Sequence, residues 1–542
     1  TRNAKRNRSL ALSLVEGTQN ELMTTPHHPP PFDEPSVLDY VKSLFRGGRV
    51  QIPDFAEAQP SATITQPSTF NDQSQPETFQ PSDIQTPFPW RSLLALILTL
   101  AGQWLLEPPP DTKLGIALFV VALFALGWGL YRGEWTLAPL AETSDGTDPL
   151  TYRPVVLILS LGLGLWAFTL LGENLFTTLN VTVWIFAVLA FMGAFWIQSG
   201  GTRNWLAQTV GFFKRETWTI IISRWAILLI AVTALAFFFR FTQTATVPAE
   251  PFSDHAEKLY DVYDVSQGDT HIFFTRNTGR EAIQMYWTLW VANIFGTGLS
   301  YLSLKLGAAI LGFLTLPFIY LLGKEIGGTR VALFAFMLAG IAYWPNVISR
   351  IGLRFPLYPL FVAPTLLFLL RGLRSRNRND FLLSGLFLGL GLHGYSPFRI
   401  VPFVVITAFI LYWMHSQSKG ARREAPVWLA MLALTSLLVF LPLLRFWIDN
   451  PDIFGFRAFS RLSTVEQPLP GPAPLIFASN VGKALMMFNL DDGEIWVNSI
   501  PHRPALDVVT GALFLLGFVL VLIRYIRKRH WQDLFLLVSI PL

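Results

Sequence analysis

The chain has no cysteine in 542 residues, so it can hold neither a disulfide framework nor a thiolate metal site. Charge is also scarce. Only 14% of residues are Asp, Glu, Lys or Arg, about half the share of an ordinary soluble domain. The eight histidines form no HExxH pair, and no second histidine stands at ligand spacing from His255. Asp491, Asp492 and Glu494 lack the spacing of a calcium loop, and Gly296-Thr-Gly298 is too short for a phosphate-cradling loop. No metal or other cofactor is therefore expected, and a divalent cation has no motif behind it. The first 88 residues contain no apolar core of the signal-peptide kind.

What the chain has in abundance is apolar surface. Hydrophobic residues make up 52%, with 45 Phe and 18 Trp, and the mean hydropathy is +0.42. That is the profile of a polytopic, all-α membrane protein. The formal net charge is +5, yet Lys and Arg sit in short loops and form no basic stripe interleaved with aromatics, so nucleic acid is not an expected partner.

Three regions follow from the change in pattern along the chain. Residues 1–88, rich in Pro, Gln, Ser and Thr, read as a disordered cytoplasmic tail with one amphipathic helix near 35–46, where Val37, Leu38, Val41, Leu44 and Phe45 share a face. Residues 89–198 hold four apolar spans almost free of ionisable groups. Residues 199–542 form the working core. Spans are predicted at about 90–107, 113–131, 153–172, 177–197, 217–240, 300–322, 329–347, 355–373, 380–395, 399–415, 426–444 and 508–525, with a further one from about 531. The chain begins at Thr1 rather than Met and stops at Leu542 inside an apolar run, as expected of a core cut short at its C-terminus.

With the spans alternating, five Lys/Arg clusters share one side: Arg203 to Arg215, Lys324/Arg330, Arg371 to Arg378, Lys419 to Arg423, and Arg524 to Arg529. The positive-inside rule makes that side cytoplasmic. The stretch from Pro248 to Tyr286 then lies outside, and it concentrates Glu250, Asp254, Glu257, Asp261, Asp264, Asp269 and Glu281 with Arg276 and Arg280. Three more outer segments accompany it, carrying Ser349, Arg350 and Arg354; His393, Tyr395 and Arg399; and Phe488 to Asp507. An outer face should be poor in arginine, so Arg280, Arg350, Arg354 and Arg399 call for a reason. An anionic ligand such as a phosphate supplies one; pairing with neighbouring carboxylates supplies another.

A run of features in a fixed order then meets a known pattern. Phe237-Phe-Phe-Arg240-Phe closes a span and leads to Asp254. Gly279-Arg280-Glu281 follows, then a span ending Leu321-Leu-Gly-Lys324-Glu-Ile-Gly-Gly, then Ser349-Arg350 and the Phe488-to-Asp507 loop. From about residue 217 to 542 the chain resembles the GT-C superfamily of membrane glycosyltransferases, in the branch of the dolichyl-phosphate-mannose protein mannosyltransferases (glycosyltransferase family 39) and the lipid A aminoarabinose transferases. The resemblance implies a transmembrane helix bundle whose outer loops carry short helices, in the plasma (inner) membrane.

The resemblance also implies a polyprenyl-phosphate sugar as donor and a protein, lipid or glycan as acceptor. Asp254 stands where the family has its essential carboxylate. The family often has Asp-Glu there, whereas this chain has Asp254-His255 with Glu257 two residues on. The implied chemistry is inverting transfer with Asp254 as general base. Arg280, Arg350, Arg354 or Arg399 would stabilise the leaving phosphate. His255, Glu257, Glu281, His393 and Tyr395 are the remaining substrate-binding candidates, with Trp496 and His502 above them. The alternative is a transporter or flippase of a lipid-linked or anionic substrate, which would put polar groups at the middle of broken spans.

Overall fold

The computed structural model describes residues 88–134, 150–197, 223–249, 251–462, 471–494 and 499–540, all within one compact unit, Ile84–Leu542. The predicted tail with its helix at 35–46, the basic loop of Arg203 to Arg215, and Trp496 lie outside the described residues.

Each predicted apolar span is a helix where it is described. The first four are α1 (Trp90–Trp104), α2 (Thr112–Tyr131), α3 (Pro154–Leu170) and α4 (Thr178–Phe195). They form two hairpins. Asp111 caps α2 by accepting from the Leu114 N–H, and a Thr177–Asn180 capping box starts α4. Next come α5 (Arg224–Phe241), the polar helix α6 (Ser253–Gln267), a two-stranded hairpin β1 (Phe273–Phe274) and β2 (Arg280–Glu281), and α7 (Ile283–Phe295). The long segment α8 (Tyr301–Ile341) is two helices, because Gly327 and Gly328 leave helical geometry, the latter at φ +80°, and fold the chain back. The backbone of Ala332 consequently lies against Gly323.

After the short α9 (Tyr343–Arg350), helices α10 (Leu357–Ser375) and α11 (Arg378–Leu392) form a further hairpin. A 3₁₀ turn (Ser396–Ile400) leads into α12 (Val401–Met414), followed by α13 (Ala425–Asp449). Beyond it lie α14 (Pro451–Leu462), α15 (Ala473–Met486), α16 (Val508–Lys528) and α17 (Trp531–Ser539). Eight of these helices are long and apolar enough to cross a bilayer. Large apolar side chains on their outer faces are bare, Phe124 at 76% and Ile230 at 65% exposure, as a hydrocarbon solvent permits and water does not. The chain is an all-α, multi-pass membrane protein.

The centre of the bundle is the packing of α10, α11, α12 and α13 around Phe381, Phe398, Tyr412, Trp428 and Trp531. The hairpin α3–α4 lies on α13 through Ala167, Leu171 and Val183 against Leu441 and Phe446. The hairpin α1–α2 lies on α16 through Ala95, Ala125 and Leu126 against Leu516. Two ends of the bundle emerge from side-chain pairing. Arg374 pairs with Glu325 and Tyr525 meets His415 at one end, while Arg354 and Arg399 meet Glu281 at the other. The first end carries the basic loops.

Helices α11 and α13 touch where Gly385 and Gly389, four residues apart, face the partner backbone. A Cβ at Gly385 would strike the Leu432 carbonyl, and one at Gly389 would lie 2.5 Å from Val439 Cβ and 2.8 Å from the Ser436 carbonyl. This is the small-residue contact by which helices associate in lipid. Gly385→Val is expected to force α11 off α13 at a cost of about 1–3 kcal/mol, read as a lower melting temperature in detergent. Gly127→Val, whose Cβ would meet nothing, is the silent control.

Candidate active site

The site starts from a turn that only a few residue types can make. Asn277, Thr278 and Gly279 all have positive φ (44°, 61° and 85°), and a Cβ on Gly279 would collide with the Phe273 ring. The turn lets β1 pair antiparallel with β2, Phe273 opposite Glu281 and Phe274 opposite Arg280. It thereby buries two adjacent charged residues, Arg280 at 3% and Glu281 at 0% exposure. Phe273 anchors the hairpin by stacking on Phe446 of α13 at 4.8 Å.

Helix α6 runs alongside and presents its ionisable residues toward that hairpin at helical spacing. Asn277 Nδ2 donates to Glu257 at 2.6 Å and more weakly to Asp254 at 3.4 Å. Arg280 donates to Glu257 at 2.8 Å and lies 3.4 Å from Asp261. Arg276 bridges Asp261, at 2.9 Å, and Asp264. Burial would push the Glu257 carboxyl up, but the Arg280 and Asn277 hydrogen bonds outweigh it and hold it below the ordinary value. Asp261, with no exposed surface, goes the other way: burial raises it despite the two arginines. Asp254 is the exposed member, its side chain at 41%, with the Lys258 ammonium at 3.8 Å.

Lys258 itself was not among the residues singled out from the sequence. It is buried and donates to the Asp254 carbonyl at 2.9 Å. Burial, reinforced by the Arg280 and Arg354 charges and opposed by Asp254, pulls its ammonium down to about 7.

Glu281 collects a second group. It accepts from Arg354 at 2.7 Å, Arg399 at 3.1 Å and Ser396 at 3.1 Å. Tyr395 lies beneath Arg354, 5.5 Å from guanidinium to ring centroid, and Arg399 covers the Phe454 ring at 4.0 Å. The two histidines face inward. His255 accepts from the Phe252 N–H at Nδ1, so Nε2 is the protonated nitrogen and donates to the Ile351 carbonyl at 2.7 Å. His393 is buried with Nε2 on the Val439 carbonyl at 2.9 Å, packed against Trp184. Both rings therefore hold helix ends to neighbouring backbone. His502 is exposed and meets Asp491.

Among the described residues Arg350 pairs with no carboxylate, unlike Arg280, Arg354 and Arg399. It donates to the carbonyls of Phe239, Thr242 and Val247 at 2.8, 2.6 and 3.3 Å and lines a cavity of about 630 Å³. Two further cations stand behind it. Arg240, fully buried, donates to the carbonyls of Pro345 and Ala339 and to Ser349. Lys305 donates to the carbonyls of Ala245 and Pro248 and lies over the Tyr301 ring. Among the described residues no carboxylate pairs with any of the three. The cavity is walled by Phe239, Val247, Phe252, Tyr301, Ile341 and Val347, and closed on one side by Ser499, Ile500 and Asp507. Phe252 puts Asp254 two residues from its edge. The sequence did carry a signal for Lys305: a lone lysine five residues into an apolar span.

The family model of dolichyl-phosphate-mannose-protein mannosyltransferases matches residues 281–446, from Glu281 of β2 to Phe446 near the C-terminal end of α13. No curated protein and no solved structure matches the chain. The resemblance seen in the sequence is borne out over that stretch, and with the helical membrane fold it supports a membrane glycosyltransferase of the GT-C type. Asp254, α6 and the four N-terminal helices lie outside the matched residues.

The depressed Lys258 makes a sign-definite prediction. Between about 7 and the ordinary lysine value of 10.5 the folded chain binds fewer protons than the unfolded one, so stability rises with pH across that window. Hydrogen exchange of residues 253–267 should slow from pH 7 to pH 10, after correction for the intrinsic rate. Lys258→Met should abolish that slope.

Proposed function

We propose that this chain transfers a sugar from a polyprenyl-phosphate donor to an acceptor hydroxyl, with inversion, at the extracytoplasmic face of the plasma membrane. The observation that carries the reading is the cavity whose edge lies two residues from Asp254: Arg350 lines it, Arg240 and Lys305 stand behind it, and among the described residues no carboxylate pairs with any of the three. Burying uncompensated cations costs several kcal/mol each (order of magnitude), and a bound phosphate supplies the missing charge. The apolar walls suit an isoprenoid tail reaching in from the bilayer.

Asp254 takes the proton of the acceptor hydroxyl as that oxygen attacks the anomeric carbon, and the sugar–phosphate bond breaks with its electron pair going to the phosphate. The phosphate is a good leaving group already, so charge stabilisation by Arg350 and Lys305 replaces a general acid. Arg280, Arg354 and Arg399, expected from the sequence to compete for the phosphate, act instead through Glu257, Asp261 and Glu281 to hold α6 in place. Glu257 orients Asn277, whose amide reaches Asp254. The acceptor is a protein, a lipid or a glycan, and no metal enters the scheme.

Purified protein supplied with radiolabelled polyprenyl-phosphate hexoses and membrane extract should transfer label. Asp254→Asn should lower kcat by about 10²–10⁴-fold with little change in the KM for donor. Arg350→Gln should raise the donor KM about tenfold or more. Equal transfer by wild type and Asp254→Asn would remove Asp254 as the base. Translocation of the lipid without transfer by any donor would make the chain a transporter.

A further inference from the structure

The four N-terminal helices are almost free of ionisable residues and lie outside the family match, yet the end of α1 reaches the segment that closes the cavity. Gln103, in the last turn of α1 and with no exposed surface, exchanges hydrogen bonds with Asn489: its Nε2 donates to the Asn489 carbonyl at 3.2 Å, and Asn489 Nδ2 donates to its Oε1 at 2.7 Å. Gly511 of α16 leaves the space, since a Cβ there would lie 2.7 Å from Gln103 Cδ. One turn further, Glu107 takes a two-pronged ion pair from Arg503 at 2.6 and 3.0 Å. Such forked pairs fix direction as well as distance.

Arg503 belongs to the segment 499–507, three of whose residues close the cavity. Its guanidinium covers the Tyr343 ring at 4.2 Å. Tyr343 in turn accepts from the Ile500 N–H at 3.0 Å and donates from its own N–H to Asp507 at 3.2 Å. The cavity wall is thus fastened at one edge to α9, which also carries Arg350, and at the other to α1. Arg503 does not line the cavity, and neither does Glu107.

We infer that the hairpin α1–α2 is a positioning element of the donor site, with Glu107 and Gln103 acting through Arg503 and Asn489 to hold segment 499–507 over the cavity. The inference rests on the proposed function for its consequence, donor affinity, but the anchoring itself does not.

The test is a double-mutant cycle with Glu107→Gln, Arg503→Gln and the pair together, in the full chain. Two readouts are used: hydrogen exchange of residues 499–507, and the Kd of a fluorescent short-chain polyprenyl phosphate. Each single variant should speed exchange in 499–507 and weaken the probe roughly tenfold, and the double variant should be no worse than either single. In a transfer assay the donor KM should rise while kcat holds. A probe loss much larger in Arg503→Gln than in Glu107→Gln would mean that Arg503 meets the phosphate directly, and would overturn the positioning role. Unchanged exchange in Glu107→Gln would overturn the anchoring. If wild type binds no polyprenyl phosphate, the proposed donor fails, and the exchange measurements alone decide the anchoring.

Discussion

A carboxylate without any exposed surface, Glu281, draws together three stretches of chain that share no secondary structure. Arg354 comes from the loop after α9, and Arg399 and Ser396 from the 3₁₀ turn before α12. Removing one member of such a buried set costs about 3–5 kcal/mol, since the remaining charges lose their partners. The rest of the outer face depends on this constraint. Glu281 fixes β2, β2 fixes Arg280 beside it, and Arg280 fixes Glu257 and Asp261 on α6. Asp254, at the exposed end of that helix, inherits its position from a chain of pairs beginning at Glu281.

The outer face is also polarised. Carboxylates line α6, while Arg350 lines the cavity with Arg240 and Lys305 behind it. A reaction that takes a proton from a hydroxyl and delivers negative charge to a phosphate runs in the direction of that polarity. Three of the four arginines singled out from the sequence, Arg280, Arg354 and Arg399, are paired with carboxylates. Their guanidinium groups meet carboxylates, whereas Arg350, among the described residues, meets carbonyl oxygens and lines the cavity.

The helices were legible because length and hydropathy decide them. Four of the basic loops gather at one end of the bundle, joined by contacts such as Arg374–Glu325, Arg376–Lys419 and Gln417–Arg529. Asp254, Glu257, Arg280 and Glu281 could be picked from the sequence because charge is rare in this chain. Their partners could not be picked, since Arg354 and Glu281 are 73 residues apart and no periodicity joins them. The strands β1 and β2 are two residues each, too short for an alternating pattern to show. His255 and His393 looked like ligand contacts because a polar residue in an outer loop is ordinarily solvated. Here the loop folds back on the bundle, and both rings are spent on backbone carbonyls. Lys258 was hidden by its neighbours: among so many charged residues in α6, nothing marked the one that turns inward.

The bond between Gln103 and Asn489 spans 386 residues, which bears on how the protein is made. When α1–α2 and α3–α4 enter the bilayer, their docking surfaces on α16 and α13 have not yet been synthesised. Each pair must persist on its own contacts while roughly 250 to 400 further residues emerge at about 5–20 per second. The tight turns and capped helix starts of these hairpins suit that wait. Closure of the site therefore waits until Asn489, Arg503 and α16 have been made and meet helix ends already in place.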